Sequence, residues 1–314
     1  MTRNNYQILF CILILPIFFS CTGKKDNKKI SASDNDSNKI VTKPDSSSIY
    51  KTNKPAFHYH FVKKKEWQSK KDSFEGAAHL DILAAINRVD KTHLKWMDSI
   101  LVPNDFTKPL KDYLPFPDSI GLLGDVTKII FFSYPAQIFA AYEKGKLILT
   151  GPTNMGRKSK QTPEGLFFTN WKAIKTRSTI NNSWILNWNF NVHNRLGVGF
   201  HEYALPGYPA SHSCMRLWAS DAKYLYHWAD QWILKENKLE AQGTPVIVFG
   251  KYPFGKTRPW NHLVNNPDTL TISIDSINNI IKPYLEKILE KQSQRTSVVL
   301  AKSNLPTLPL SNLP

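Results

Sequence analysis

The sequence predicts a mainly β domain with flanking helices, an α+β architecture, and three observations carry that expectation. Short apolar runs separated by turn signals crowd residues 126–250, one helical pattern interrupts them near their end, and helix-period patterns lie on either side. At 314 residues, one enzyme-sized domain with flanking segments accounts for the length.

The chain opens MTRNNYQILFCILILPIFFSC. A short polar start with Arg3, an apolar run from Ile8 to Phe19 and the small Ser20 predict a signal peptide over 1–20 rather than a spanning helix, because the run is short for a bilayer. Ser20 followed by Cys21 resembles a bacterial lipobox, which implies that Cys21 becomes the lipidated first residue; Phe18 and Phe19 are bulkier than that pattern prefers. Plain secretion and an uncleaved anchor are the alternatives. Residues 21–55 are rich in Lys, Ser, Asn and Asp and almost free of large apolar residues, which predicts a flexible tether. The resulting expectation is a membrane-anchored lipoprotein facing the periplasm, on either the inner or the outer membrane.

Residues 56–124 are expected to form a mainly helical region. Leu80, Leu83, Ala84 and Ile86 recur at helical spacing, and THLKWMDSILVP ends in a strand-like run stopped by Pro103. The order AAINRVD…HLKWMDSILVP is similar over a short stretch to a LysM glycan-binding module; the alternative is a helical support for the next domain.

Residues 125–250 are expected to form the main domain. VTKIIFFSYPAQIFAAYEKGKLILTGPTNMG reads as three strands, with Glu143-Lys144-Gly145-Lys146 as the hairpin turn between the last two. GLFFTN, SWILNWNF, GVGFHEY and TPVIVFG supply further strands, and ASDAKYLYHWADQWIL a helix opening directly after the cysteine region. In the extension at 251–298, Ile277, Ile280, Ile281, Tyr284, Leu285, Ile288 and Leu289 predict an amphipathic helix that Pro283 starts or kinks. Repeated Leu-Pro at 299–314 predicts a disordered tail.

Lys and Arg number 41 against 25 Asp and Glu, giving a formal net charge of +16, so anionic partners are favoured. The chain has three cysteines. Loss of Cys11 with the signal and lipidation of Cys21 would leave Cys214 as the sole thiol of an exported protein: a buried hydrophobe, an intermolecular crosslink or a reactive nucleophile. Its neighbours supply what a nucleophile needs, with His212 two residues before it, His201 thirteen before, Arg216 two after, and the amides of a tight turn at Ser213 and Cys214. Zinc held by His201, His212 and Cys214 is the rival reading, weakened by the missing second cysteine pair and the adjacent Arg216.

FHEYALPGYPASHSCMRLW resembles the active-site signature of L,D-transpeptidases of the YkuD type, and Thr162, Pro163 and Gly165 in SKQTPEGLF are similar to that family's threonine-proline-glycine segment. The resemblance implies a β-sandwich-like catalytic domain acting on peptidoglycan stem peptides without a cofactor, metal or nucleic-acid partner. It implies Cys214 as nucleophile, attacking as thiolate, and His201 as general base and acid. His212 and Ser213 fall in the oxyanion region, the carbonyl of Glu202 orients His201, and Arg216, Glu202 and Ser211 lie on the substrate side. The implied reaction is acyl transfer from the third stem residue to an amine, giving a 3→3 crosslink, with carbapenems as covalent inhibitors. L,D-carboxypeptidase or endopeptidase action, and a non-catalytic wall-binding lipoprotein, remain alternatives. Two departures stand out: Ser213 replaces the usual glycine, and thirteen residues from His201 to Cys214 is shorter than in many members.

Overall fold

A computed structural model describes residues 57–69, 77–178 and 180–303. The signal peptide, Cys21 and the tether, expected at 1–55, lie outside the described residues. The described chain begins with β1 (Tyr59–Lys63), α1 (Lys64–Ser69), α2 (Ala77–Ile86), α3 (Lys91–Leu94) and β2 (Ser99–Pro103). The main domain follows with β3 (Lys128–Ser133), β4 (Ile138–Glu143), β5 (Lys146–Asn154), β6 (Gly165–Phe168), β7 (Lys172–Arg177), β8 (Ile185–His193), β9 (Val198–Glu202) and β10 (Met215–Leu217). Then come α4 (Ala219–Trp228), β11 (Ile233–Lys235), β12 (Lys238–Ala241), β13 (Pro245–Phe249), α5 (Ile274–Ile281) and α6 (Leu285–Ser303).

Nine strands form one sheet in the order β6-β13-β3-β4-β5-β10-β9-β8-β7. Connectivity forces this sheet to curl. Its two edges, β6 and β7, are joined by residues 169–171 alone. Flat, the edges would lie about 38 Å apart at ~4.8 Å per strand, whereas the link reaches about 14 Å at most. The two ends do come together: Thr169 N–H donates to Thr244 O at 2.9 Å on the β13 side, Asn170 N–H donates to Asn191 O of β8 at 2.8 Å, and the Phe167 ring of β6 packs on His193 of β8 at 5.9 Å. The sandwich-like character expected of the domain thus comes from one continuous sheet folded on itself.

The curl explains why β3 reads KIIFFS without alternation: both of its faces are buried. Ile129 and Phe131 join a core completed by Ile277, Ile281 and Ile288 of the C-terminal helices. Ile130 and Phe132 join the core between the two halves of the sheet, with Phe190, Phe200, Met215 and Leu225. The expected hairpin is present, Glu143 opposite Lys146, with Lys144 at φ 46° and Gly145 at φ 73°, the two positive angles a type I′ turn requires.

Other segments differ from expectation. Residues 56–124 contain an antiparallel β1–β2 pair, Tyr59 opposite Pro103, besides their helices. β1 buries only Tyr59 and Val62, so no period-2 pattern announces it. The helix expected through Leu234 ends at Trp228, because the Asp230 N–H bonds Thr244 Oγ1 and its carboxylate pairs with Lys128; Ile233 and Leu234 then belong to β11. The start of that helix, at Ala219, is as expected, with Trp218 as its N-cap and Leu217 in β10. Residues 282–284 around Pro283 separate α5 from α6. α6 runs on through Ser303, into the stretch the Leu-Pro repeats predict to be a tail; the remainder of that tail lies outside the described residues.

The N-terminal elements brace the main domain next to the cysteine. Arg88, buried at φ 60° just beyond α2, donates Nε–H to Ala136 O at 2.7 Å. Asp90 N–H donates to Leu205 O at 3.1 Å, Leu205 N–H donates back to Asp90 Oδ2 at 2.9 Å, and Trp218 Nε1–H reaches Val89 O at 2.9 Å. No helix among the described residues is long and apolar enough to cross a membrane.

Candidate active site

β10 lies between β5, antiparallel to it, and β9, parallel to it. The parallel register sets Met215 opposite Phe200 and Arg216 opposite His201. Side chains alternate along strands, so Arg216 and His201 share a face, and Cys214, two residues before Arg216, falls on that face as well. Cys214, His201, His212, Ser211 and Arg216 line one cleft, together with Trp171, Arg177, Trp184 and Tyr203 from the β7–β8 side and the end of β9.

His201 is 3% exposed. Its Nδ1 stands 2.8 Å from Glu202 O; a carbonyl can only accept, so Nδ1 carries the hydrogen and Nε2 is left as the acceptor. Burial pushes its pKa down to about 4, the Glu202 bond opposes this, and Arg216 adds a smaller downward push. The imidazole is therefore neutral at pH 7.

Cys214 is half-buried, and its Sγ–H reaches Gly197 O at 3.6 Å. Burial pushes the thiol up; a hydrogen bond from the Gly199 N–H and the charge of Arg216 oppose the rise. The attacking thiolate expected from the sequence is thus not the resting form: a neutral thiol sits in the same cleft as a neutral histidine. Low local polarity disfavours the ion pair in both partners.

The turn before Cys214 is tightly specified. Ser211 is 1% exposed, and its hydroxyl donates to Cys214 O at 2.5 Å, while its own backbone bonds Met155 and Arg157. Ser211 lines the cleft, and its side-chain hydroxyl is committed to closing the turn. Ser213 adopts φ 81°, in the left-handed region that favours glycine, and its hydroxyl donates to Lys160 O at 3.2 Å. Asn154 bonds Tyr208 O and accepts from Ala210 N–H at 3.2 Å, pinning the loop that leads into the turn. Thr162 Oγ1 accepts from Gly156 N–H at 3.0 Å, and Gly156 has no room for a Cβ, which would lie 2.2 Å from Lys160 O.

His212 packs on Trp184, ring centroids 4.9 Å apart, and burial, Arg157, Arg216 and Lys160 lower its pKa. Arg216 lies over the Tyr203 ring at 4.6 Å and donates to Ala204 O at 3.3 Å. Glu202, expected as a substrate contact, contributes its carbonyl to His201 but lines a different cleft with Asp81 and Asp90, as alternation along β9 dictates. The described lining of the cysteine cleft holds two arginines and no carboxylate, so it favours an anionic guest. Among the described residues, no three His, Cys, Asp or Glu side chains converge as a metal-binding group.

Sequence reasoning missed Trp184, Tyr203, Arg177 and Gly199. Arg177 belongs to β7, an edge strand reading KAIKTR, whose charges suit an edge but hide it from an apolar-run search. Tyr203 follows directly on Glu202 and was within reach as an aromatic beside the histidine.

A thiol immediately before β10 and an oriented, neutral imidazole on the parallel neighbour β9, in a curled, mostly β sheet, describe the class of site. Residues 127–248 match the family described as YkuD, the L,D-transpeptidase catalytic domain. No curated protein matches the chain. Among solved structures, an L,D-transpeptidase from Mycobacterium smegmatis is similar at 19% identity, covering 40% of this chain and 59% of that one, with a TM-score of 0.32. An L,D-transpeptidase (Yku) from Stackebrandtia nassauensis is similar at 20% identity, covering 60% and 77%, TM-score 0.34. L,D-transpeptidase 3 from Mycobacterium tuberculosis, in complex with a faropenem-derived adduct, is similar at 18% identity, covering 40% and 60%, TM-score 0.31. The chain spans less than two thirds of the first and third of these structures.

Proposed function

We propose that the protein is a peptidoglycan L,D-transpeptidase with Cys214 as its nucleophile. The observation that carries this reading is the single cleft lined by both Cys214 and His201, where His201 is neutral and its Nδ1–H is tied to Glu202 O. The match of residues 127–248 to the L,D-transpeptidase catalytic domain supports it.

The chemistry follows from the groups. As Cys214 Sγ attacks the carbonyl of the third stem residue, its proton passes to His201 Nε2, so thiolate and imidazolium exist only along the reaction path. The backbone N–H groups of Ser213 and Cys214 meet the developing oxyanion, aided by the left-handed turn at Ser213. Collapse breaks the amide bond; the terminal D-amino acid leaves with the proton from His201, and a thioester remains. An acceptor amine loses its proton to His201, attacks the thioester and restores the thiol, leaving a 3→3 crosslink. Arg216, in a cleft without described carboxylates, holds a carboxylate of the donor stem.

The same geometry makes the protein a target for carbapenems, which offer an acylating carbonyl to Cys214. The test is intact mass after incubation with a carbapenem, with Cys214→Ala as control. A single adduct on the wild type and none on the variant is expected; no adduct on folded wild type overturns the reading. Muropeptide analysis with a tetrapeptide donor then separates tetra-tri dimers, expected here, from the shortened monomers of hydrolysis.

The leader and Cys21 support placement as a lipoprotein on the periplasmic side of a membrane. Metabolic labelling with a fatty acid, lost in Cys21→Ala, tests it.

A further inference from the structure

A further cavity, of about 420 Å³, lies against the loop that connects His201 to Cys214. Pro206 and Tyr208 of that loop form one wall, His93, Trp96, Met97, Asp98 and Ser99 of the N-terminal elements another, and Arg258 completes it. We propose that this cavity holds the sugar backbone of the wall polymer, a β-linked chain of N-acetylated pyranoses, beside the catalytic centre; the identity of the polymer rests on the function proposed above.

The first argument is the display of aromatic surface. Trp96 is 64% exposed and Tyr208 49% exposed, and both belong to the same cavity. Single exposed aromatics need no explanation, but two around one concavity make a recognition surface. Neither ring is free to collapse. Trp96 is held edge-on to His93 at 5.2 Å, in a turn closed by Trp96 N–H to His93 O at 3.0 Å. Tyr208 carries the Arg258 guanidinium 5.8 Å from its ring centre, and its carbonyl accepts from Asn154 Nδ2–H.

The second argument is the chemistry between the rings. A pyranose has flat C–H faces that lie on aromatic rings and a rim of hydroxyls and acetamido groups that need donors and acceptors. Asp98, Ser99, His93 and Arg258 supply both kinds around the two rings. A lipid tail would leave these groups unpaired, and a compact polyanion would find only Arg258 and His93 to face it, beside an opposing Asp98.

The third argument is position. The cavity wall is built across two parts of the chain that are fastened together, through Asp90 with Leu205 and the bridge between Val89 and Pro206. Gly207, at φ 80°, allows this contact: a Cβ there would stand 2.9 Å from Val89 Cγ1. A polymer seated on Trp96 and Tyr208 touches the segment that ends at the nucleophile, so glycan and stem peptide can be held at once and the stem is delivered at high effective concentration.

The test is calorimetric titration of the full chain with the tetramer of N-acetylglucosamine and with peptide-free glycan strands from purified wall. Binding to both, insensitive to 0.5 M salt, is expected. Trp96→Ala and Tyr208→Ala should each weaken it about tenfold, the worth of one well-placed ring contact, while Trp96→Tyr keeps most of it. Trp96→Ala should raise KM for a disaccharide-linked tetrapeptide by a similar factor and leave KM for the free tetrapeptide, kcat and the melting temperature unchanged. Absence of glycan binding by a wild type that still forms the carbapenem adduct overturns this inference and leaves the transpeptidase reading standing. So does binding abolished by salt, or binding unchanged in folded Trp96→Ala and Tyr208→Ala.

Discussion

The Nδ1–H of His201 is donated to the carbonyl oxygen of Glu202, the next residue along β9, at 2.8 Å. This bond is made by the backbone, so no side-chain substitution at Glu202 removes it. It fixes the tautomer of the ring, as a carboxylate would in a three-residue catalytic arrangement, but adds no charge to a buried site.

The first consequence is a pH profile. Burial holds His201 at about 4, below its ordinary 6.5, so the base stays neutral and competent well into acid. The acid limb of the acylation rate is expected near pH 4. The same shift makes acid destabilising: the contribution from neutral His201 is complete above pH 6.5 and is lost as pH falls through about 4, amounting to about 3 kcal/mol. Acylation rates and urea midpoints measured between pH 4 and 8 check both statements.

The raised thiol pKa makes Cys214 sluggish toward simple alkylation. Iodoacetamide at pH 7 should modify it more slowly than a free thiol, with the rate climbing only above the ordinary thiol range. Mass spectrometry on a time course reads this, and modification faster than free cysteine would contradict the neutral resting pair.

Ser213 sits at φ 81° with its hydroxyl on Lys160 O. Ser213→Gly relieves about 1 kcal/mol of backbone strain and loses a hydrogen bond of about the same worth, so stability should hardly change. Ser213→Ala keeps the strain and loses the bond, and should cost about 1 kcal/mol. Chemical unfolding of the two variants, compared directly, separates strain from hydrogen bonding.

Gly199→Ala should fail in a different way. Its Cβ would lie 2.5 Å from Phe190 O and 3.1 Å from the Asn191 Cα, both backbone atoms of β8. β8 and β9 must separate, which should cost more than about 2 kcal/mol and carry His201 out of register. Loss of both the carbapenem adduct and several degrees of melting temperature is expected.

Asp90→Ala removes the acceptor for Leu205 N–H and the cap of α3 together. About 2 kcal/mol of destabilisation is expected, with slower acylation although the residue belongs to the N-terminal elements. A variant that unfolds earlier but acylates at the wild-type rate would show that the brace is structural only.

How much of this was legible in the sequence depended on burial. Strands buried on both faces, such as β3 and β13, announce themselves as apolar runs, and the hairpin turn was readable from Lys144-Gly145. β7 was hidden because an edge strand needs Lys and Arg, and β10 because three residues hold too little pattern to see. Within the site, His201, His212, Cys214 and Arg216 were found by residue chemistry in one short stretch. Trp184, just before β8, and Arg177 of β7 come from elsewhere in the chain, and only the pairing of β7, β8 and β9 brings them there. The role of Glu202 turned on which way its side chain faces.

The parallel pairing of β9 and β10 has one more consequence. Parallel neighbours cannot be joined by a tight hairpin, so the chain after Glu202 must travel back along the strands before β10 begins. The ladder fixes where His201 and Arg216 stand, and the connecting loop only has to be long enough. An interval of thirteen residues between histidine and cysteine is therefore a property of the loop's path and not of the site. Insertions at the exposed Tyr208 could lengthen that interval while base and nucleophile keep their places, leaving this segment free to diverge in what it recognises.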